Sequence, residues 1–387
     1  MSSCTFDLFP AGALGRELVE LSLVYIDQST YTRINSDQIQ ITDPRRFGES
    51  VKGLVQDIRE EISRRALMYA TVNDLRSKNC FPKLYVYLGL SRENDHLELV
   101  DKAMDLLIEN NCSADLWRDQ YTTPQFFKIN YFKYAKQGFL GRITDRDYPH
   151  RYIDGFSFIL AILGYFLAYV GRTREKLYLL LHSDVIPQYM MPHYRELHRL
   201  SKNIAVLARN EAPDSIIALN LALLLIERGI VRDLCTGRLL VVQVSGPRST
   251  LLTVHDLGTH GLVRLLSGQK DLVKYIRVML DSVSSTRWDR PDEYSSFIAS
   301  IANRLLLYAS TCSGEVLYSI TASLRRFGDH YIQGGRLPDV AIKAAGKLKG
   351  YLESIGVKGL ASYFHGFSNE VSKLVKVCPL EDVVYGF

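Results

Sequence analysis

Residues 154–170 read DGFSFILAILGYFLAYV. From Phe156 to Val170 the run is 15 residues long and carries no charge. A bilayer span needs roughly 20 residues, so the length fits a helix buried in a protein core instead. A helix that is apolar on every side has no face to give to water. Asp154 stands where an N-cap belongs and Gly171 where a helix stops. The next apolar stretch, KLYLLLH at 176–182, reads as a strand. A buried helix set between strands predicts a mixed α/β first half.

The same pattern extends upstream. Residues 10–26 carry an apolar stripe through Leu14, Leu18, Leu21 and Val24, which predicts a helix. QIQIT at 38–42 alternates like a short strand, and Asp43-Pro44 opens a helix over 45–65. KLYVYLGL at 83–90 reads as a strand by alternation and aromatic content. Ser91 is placed to cap a helix over 94–109.

Downstream, 191–209 forms a basic amphipathic pattern, and SIIALNLALLLI (215–226) lies in a second buried helix over 213–228. RLLVVQV (238–244) and TLLTV (250–254), joined through Ser245-Gly246-Pro247, predict a hairpin. From Gly261 onward only helical periodicity remains, over 270–283, 293–310, 314–327, 338–354 and 359–377. Short-linked helices of this kind predict a bundle. The fold class is therefore α+β: a mixed α/β N-terminal half with an antiparallel hairpin, and a predominantly helical C-terminal half. The expected domains are 1–185 (mixed α/β, with an aromatic-basic hairpin), 186–260 (helices and a small hairpin) and 261–387 (helical bundle).

Across 387 residues the hydrophobic content is 47% and the charged content 23%, which is ordinary for a globular chain. The net charge of +5 is compatible with a polyanionic partner without requiring one. Cys4, Cys80, Cys112, Cys235, Cys312 and Cys378 are widely spaced and form no CxxC pair. That spacing predicts reduced core thiols in a cytoplasmic protein, with neither a zinc site nor a disulfide framework. The N-terminus has no basic stretch followed by an apolar one, so no signal peptide and no membrane partner are expected.

Just before the buried helix, residues 126–151 read FFKINYFKYAKQGFLGRITDRDYPHR. Phe126, Phe127, Tyr131, Phe132, Tyr134, Phe139 and Tyr148 interleave with six Lys or Arg against two acids, Asp145 and Asp147. Aromatic faces stack on bases and cations meet phosphates, so the mixture suits a nucleic-acid surface. An amphipathic hairpin with a solvated basic face explains the same residues. On the first reading Lys128, Lys133, Lys136, Arg142 and Arg146 contact phosphates. Tyr131 and Tyr134 stack on a base, while Asn130 and Gln137 read base edges. A second basic region has Arg325, Arg326, His330 and Arg336 around Gly334-Gly335, followed by Lys343, Lys347 and Lys349. Lys343 and Lys347 share a helix face. Arg325, Arg326, Lys343 and Lys347 are candidates for tracking a phosphate backbone, although a solvated helix face again fits.

Catalytic patterns are scarce. The chain has no GxxxxGK[ST], no GxGxxG after a strand and no GxSxG elbow. His193 and His198 are five apart, which turns them to different faces of a helix. Asp145 and Asp147 sit among cations and fit ion pairing on a loop. HDLGTHG at 255–261 partly resembles the D-x-T-H-G pattern of CRISPR-associated sensors of cyclic oligoadenylate, with one extra residue between Asp256 and Thr259. A strand-to-helix turn capped by Asp256 or Thr259 is the structural alternative.

One order of segments carries a broader resemblance. FFKINYFKYAKQG, the basic turn GRITDR, the buried helix IDGFSFILAILGYFLAYVG and the strand KLYLLLH follow one another, and a helical half comes after them. This resembles the large subunit (Csa type) of archaeal type I-A CRISPR interference (Cascade) complexes. At residue level the similarity covers about Phe126 to His182. The resemblance implies a non-catalytic subunit without a cofactor, working in antiviral defence. It would help recognise the protospacer-adjacent motif on target DNA and hold the separated strands. Its implied partners are crRNA, target DNA, the backbone and small subunits and a helicase-nuclease. Two other functions remain open: a cyclic-oligonucleotide sensor built around Asp256 to Gly261, and a helical scaffold that binds only protein.

Overall fold

The computed structural model describes residues 4–9, 12–61, 81–91, 94–118, 120–122, 126–127, 152–173, 175–181, 204, 206–227, 229, 238–244, 250–257, 262–329, 346–349, 352–353, 356 and 359–377. The chain is mixed α+β, with antiparallel strands in its N-terminal half and helices in its C-terminal half. It divides into two compact units. The first is Met1–Lys202 with Leu240–Val254, and the second is Asn203–Leu239 with His255–Phe387.

In the first unit, β1 (Cys4–Asp7), β2 (Tyr31–Asn35) and β3 (Gln38–Ile41) form an antiparallel sheet in the order β1-β3-β2. Helix α1 (Leu14–Tyr25) lies between β1 and β2, and α2 (Pro44–Glu61), α3 (Phe81–Tyr87), α4 (His96–Asn110) and α5 (Asp115–Arg118) follow β3. β4 (Gln120–Thr122) then pairs antiparallel with β5 (Tyr152–Asp154), and β5 runs directly into α6 (Gly155–Ala168). A second sheet has β6 (Tyr169–Arg172), β7 (Lys176–Leu181), β8 (Arg238–Gln243) and β9 (Thr250–Asp256) side by side in chain order.

The uninterrupted apolar run becomes α6, and every one of its residues is buried. It packs chiefly on α1 and also touches α4, α5 and α2. Gly164 permits the α1–α6 approach, since a Cβ there would lie 1.9 Å from the Leu18 carbonyl oxygen. Ser22 of α1 donates through Oγ to the Leu160 carbonyl at 2.7 Å, satisfying a buried hydroxyl across the same contact.

The second unit is built around α7 (Asp214–Glu227), the other apolar run, which packs on α8 (Leu262–Leu266), α9 (Lys270–Asp281) and α10 (Glu293–Thr311). α10 packs on α11 (Gly314–Asp329), and α11 on α12 (Leu360–Ser372). Rings from four of these helices fill the space between them, with Phe297 stacked on Phe327 at 4.4 Å and Tyr275 on Phe367 at 5.8 Å. Among the described residues no helix is long and apolar enough to cross a membrane.

Four expectations are corrected. Residues 83–90 do not form a strand, because the chain is helical in α3. Leu84 and Tyr85 are buried while Val86 is 78% exposed, so burial follows a helical face and not alternate residues. The helix after Ser91 is capped by Asp95, whose carboxylate accepts the Glu98 amide at 2.8 Å, while Ser91 bonds to Asn94. Phe126 and Phe127 lie in a turn and not in a strand. Lastly, the thiols are not all reduced. Cys4 and Cys112 form a disulfide with Cα atoms 5.5 Å apart, and Cys312 is also disulfide-bonded. The sequence pattern predicts a strand over 126–135 with a hairpin partner over 139–144; the rest of that strand, its partner, most of the 191–209 helix and most of the 338–354 helix lie outside the described residues.

Candidate nucleic-acid interface

In sequence, the basic-aromatic stretch lies between β4 and β5. Their register pairs Gln120 with Asp154, Tyr121 with Ile153 and Thr122 with Tyr152. The two ends of residues 123–151 are therefore gathered at one place. Lys128, Asn130, Tyr131, Lys133, Tyr134, Lys136, Gln137, Arg142 and Arg146 all fall in this stretch and lie outside the described residues. What the structure describes is the β4–β5 pair on either side of them.

Asp154 is the hub of that base. Its Oδ1 accepts the Ser157 amide at 2.7 Å, capping α6, and its Oδ2 accepts the Asp7 amide at 2.9 Å. Ser157 Oγ donates to the Asp7 carbonyl at 2.5 Å, and Gln38 Nε2 donates to Asp7 Oδ1 at 2.8 Å. Loss of solvation pushes the Asp154 carboxyl up to about 7. The Asp7 carboxylate adds to the rise, against the lowering effect of the Ser157 and Asp7 amides. The rise comes from lost solvation, and the amide donors on the two carboxylate oxygens act against it.

Aromatic packing fixes the remainder. Phe6 stacks on Phe156 at 4.1 Å, and Trp117 meets both rings edge-on at 6.2 and 5.9 Å. Tyr121 is buried, with Lys83 Nζ 5.2 Å from its ring centroid. A Cβ at Gly155 would lie 2.3 Å from the Leu116 carbonyl, so α5 and α6 meet backbone to backbone. Phe126 and Phe127, expected on a nucleic-acid surface, are core residues. Phe127 packs on Phe9 and Phe158, Phe126 on Tyr165, and the Phe127 carbonyl accepts the Gly15 amide at 3.0 Å. Apolar rings next to a large core are buried before they are offered to solvent.

The second basic region is divided. Arg325 and Arg326 are exposed near the C-terminal end of α11, where cations also favour the helix dipole. Among the described residues, Arg325 bonds to Asn369 at 3.4 Å. Lys347 is turned inward instead. Its ammonium lies 3.0 Å from Asp292 Oδ2, 3.1 Å from Ser295 Oγ and 5.7 Å from the Tyr294 ring centroid. Asp292 in turn caps α10 through the Ser295 amide. Lys343 lies outside the described residues. The two arginines are thus open to a polyanion, while Lys347 already has internal partners.

Of the HDLGTHG segment, Asp256 ends β9 and α8 begins at Leu262, with residues 258–261 outside the described set. His193, His198, Asp145 and Asp147 also lie outside it. Among the described residues no group of three or more His, Cys, Asp or Glu is placed to hold a metal ion.

Sequence reading missed the disulfide and the Asp7–Asp154 contact. Their partners stand 108 and 147 residues apart, and no local pattern announces either. No family model matches the chain, and no match was found among curated proteins or solved structures.

Proposed function

We propose that this chain is a non-catalytic nucleic-acid-binding subunit whose main contact is the stretch 123–151. The observation that carries the reading is the antiparallel β4–β5 pair, which brings both ends of a strongly basic segment to one rigid base. Residues 123–151 carry six Lys or Arg against two Asp, a net of +4, in a chain whose total is +5. So much charge confined to one connection between paired strands forms a local polyanion site. With Phe126 and Phe127 in the core, Tyr131 and Tyr134 are the rings proposed to stack on bases. Arg325 and Arg326 offer a second contact for a single strand.

In its specific form, the proposal is the large subunit of a crRNA-guided DNA surveillance complex. Such a subunit helps recognise the motif beside the target and holds the separated strands, while guide pairing reads the sequence. Two features support this form: the order of buried helix and strand after the basic stretch, and the helical second unit. crRNA, target DNA, backbone and small subunits and a helicase-nuclease are the partners it proposes. A cytoplasmic site belongs to the same proposal. Disulfides are typical of oxidising compartments but also persist in intracellular proteins of hyperthermophilic archaea.

The test is binding of the full chain to short duplex DNA, single-stranded DNA and guide-like RNA, alone and with partner subunits. The proposal expects weak binding alone and motif-dependent duplex binding in the complex. A chain that binds none of them in either state, at low salt, overturns it.

A further inference from the structure

The Cys4–Cys112 bond ties β1 to the connection that precedes α5. Cys4 opens β1, and three residues later the Asp7 amide donates to Asp154, the last residue of β5. Cys112 stands three residues before α5, which leads directly into β4. Phe6 and Trp117 approach each other edge-on at 6.2 Å, and both pack on Phe156. One covalent link therefore joins the element that holds β5 to the element that feeds β4. Both half-cystines are buried, at 3% and 9% exposure.

We propose that this bond is a redox-sensitive staple on the base of the basic stretch, and that its reduction loosens the β4–β5 root and weakens nucleic-acid binding. The second half of that statement rests on the function proposed above. The chemistry is thiol–disulfide exchange with a dithiol. One reductant thiolate attacks a cystine sulfur and the S–S bond breaks to a mixed disulfide. The second reductant thiol then displaces the protein sulfur. Two electrons and two protons pass to the protein, leaving two cysteine thiols and an oxidised reductant. Burial of both half-cystines makes the step slow, because the reductant thiolate must first reach a sulfur closed to solvent.

The deciding experiment compares the full-length wild type with the C4S/C112S double variant, in which the Cys312 bond is kept. Hydrogen exchange is followed at the amides of Asp7, Gln120, Tyr121, Thr122 and Ser157, with α7 amides as the internal reference. Affinity for labelled single-stranded DNA is measured on the same samples. The proposal expects exchange at those amides to accelerate at least tenfold while α7 is unchanged, and the dissociation constant to rise about fivefold or more. Unchanged exchange at the root overturns the staple, even where DNA still binds. Accelerated exchange in a chain that binds no nucleic acid upholds the staple and overturns the functional reading instead. Should the double variant fail to fold, the wild type is titrated with dithiothreitol and each bond is followed by alkylation and mass spectrometry. Root exchange that tracks loss of the Cys4–Cys112 bond supports the staple, and exchange that tracks only the Cys312 bond overturns it.

Discussion

The carboxylate of Asp154 accepts the backbone amide of Asp7 at 2.9 Å, across 147 residues of chain. Its other oxygen caps α6 through Ser157. One side chain thus fixes the first strand, the core helix and the end of β5. Asp154→Ala removes a cap and leaves two amides without an acceptor, so a loss of about 2 kcal/mol is expected. Chemical denaturation of wild type and variant measures it.

Proton linkage at Asp154 adds a direction. Its carboxyl is raised to about 7 from an ordinary value of 3.8. The fold therefore favours the neutral acid. That contribution is complete below about pH 4 and is lost as pH rises through 7. Asp154→Asn cannot ionise, so the stability of wild type minus variant should fall between pH 4 and 7. A difference that is flat over this range contradicts the shift.

His96 works in the opposite sense. Burial lowers its imidazole to about 3, and the Tyr85 hydroxyl meets Nδ1. A depressed base contributes stability that is present above its unfolded value near 6.5 and is lost as pH falls toward 3. Thermal unfolding of wild type against His96→Phe over pH 3–7 should show the wild type losing its relative stability on the acid side. Parallel curves contradict the buried neutral imidazole.

How far the sequence discloses this structure depends on the range of the interaction. The helix after Asp154 and the strands at 176–181, 238–243 and 250–256 are set by local chemistry, namely a cap, an uncharged run and a turn, and they form as expected. Residues 83–90 misled because alternation and a short helical face look alike over eight residues. The Leu88 amide bonding to the Leu84 carbonyl, and the exposure of Val86 beside buried Leu84 and Tyr85, separate the two. Phe126 and Phe127 share one stretch with the lysines, and their burial depends on Phe9, Phe158 and Tyr165, distant in sequence. The root of the candidate site was illegible for the same reason, since Cys4, Asp7, Cys112 and Asp154 meet only after folding.

Gly164 permits the contact between α1 and α6. A Cβ would meet the Leu18 carbonyl oxygen at 1.9 Å and its carbonyl carbon at 2.5 Å, both of them backbone atoms. Neither helix can yield by turning a side chain, so Gly164→Ala should cost about 3 kcal/mol or more, despite alanine's better helix propensity. A melting temperature equal to wild type would contradict the close approach.

Lys347 separates a structural cation from a binding one. Its contacts to Asp292, Ser295 and the Tyr294 ring predict that Lys347→Met costs about 1–2 kcal/mol of stability. The same variant should leave nucleic-acid affinity and its salt dependence unchanged. Paired denaturation and binding curves check both halves.

The central claim is most directly tested by fluorescence anisotropy of the full chain with duplex DNA, single-stranded DNA and guide-like RNA over a salt series. Wild type is compared with the K128E/K133E/K136E variant, in the presence and absence of partner subunits. A nucleic-acid interface on residues 123–151 predicts salt-dependent binding. In the variant, affinity falls and the slope of log affinity against log salt shrinks by about one for each lost phosphate contact. Equal affinity and equal slope in the two proteins, or no binding by wild type at low salt with partners present, would contradict it.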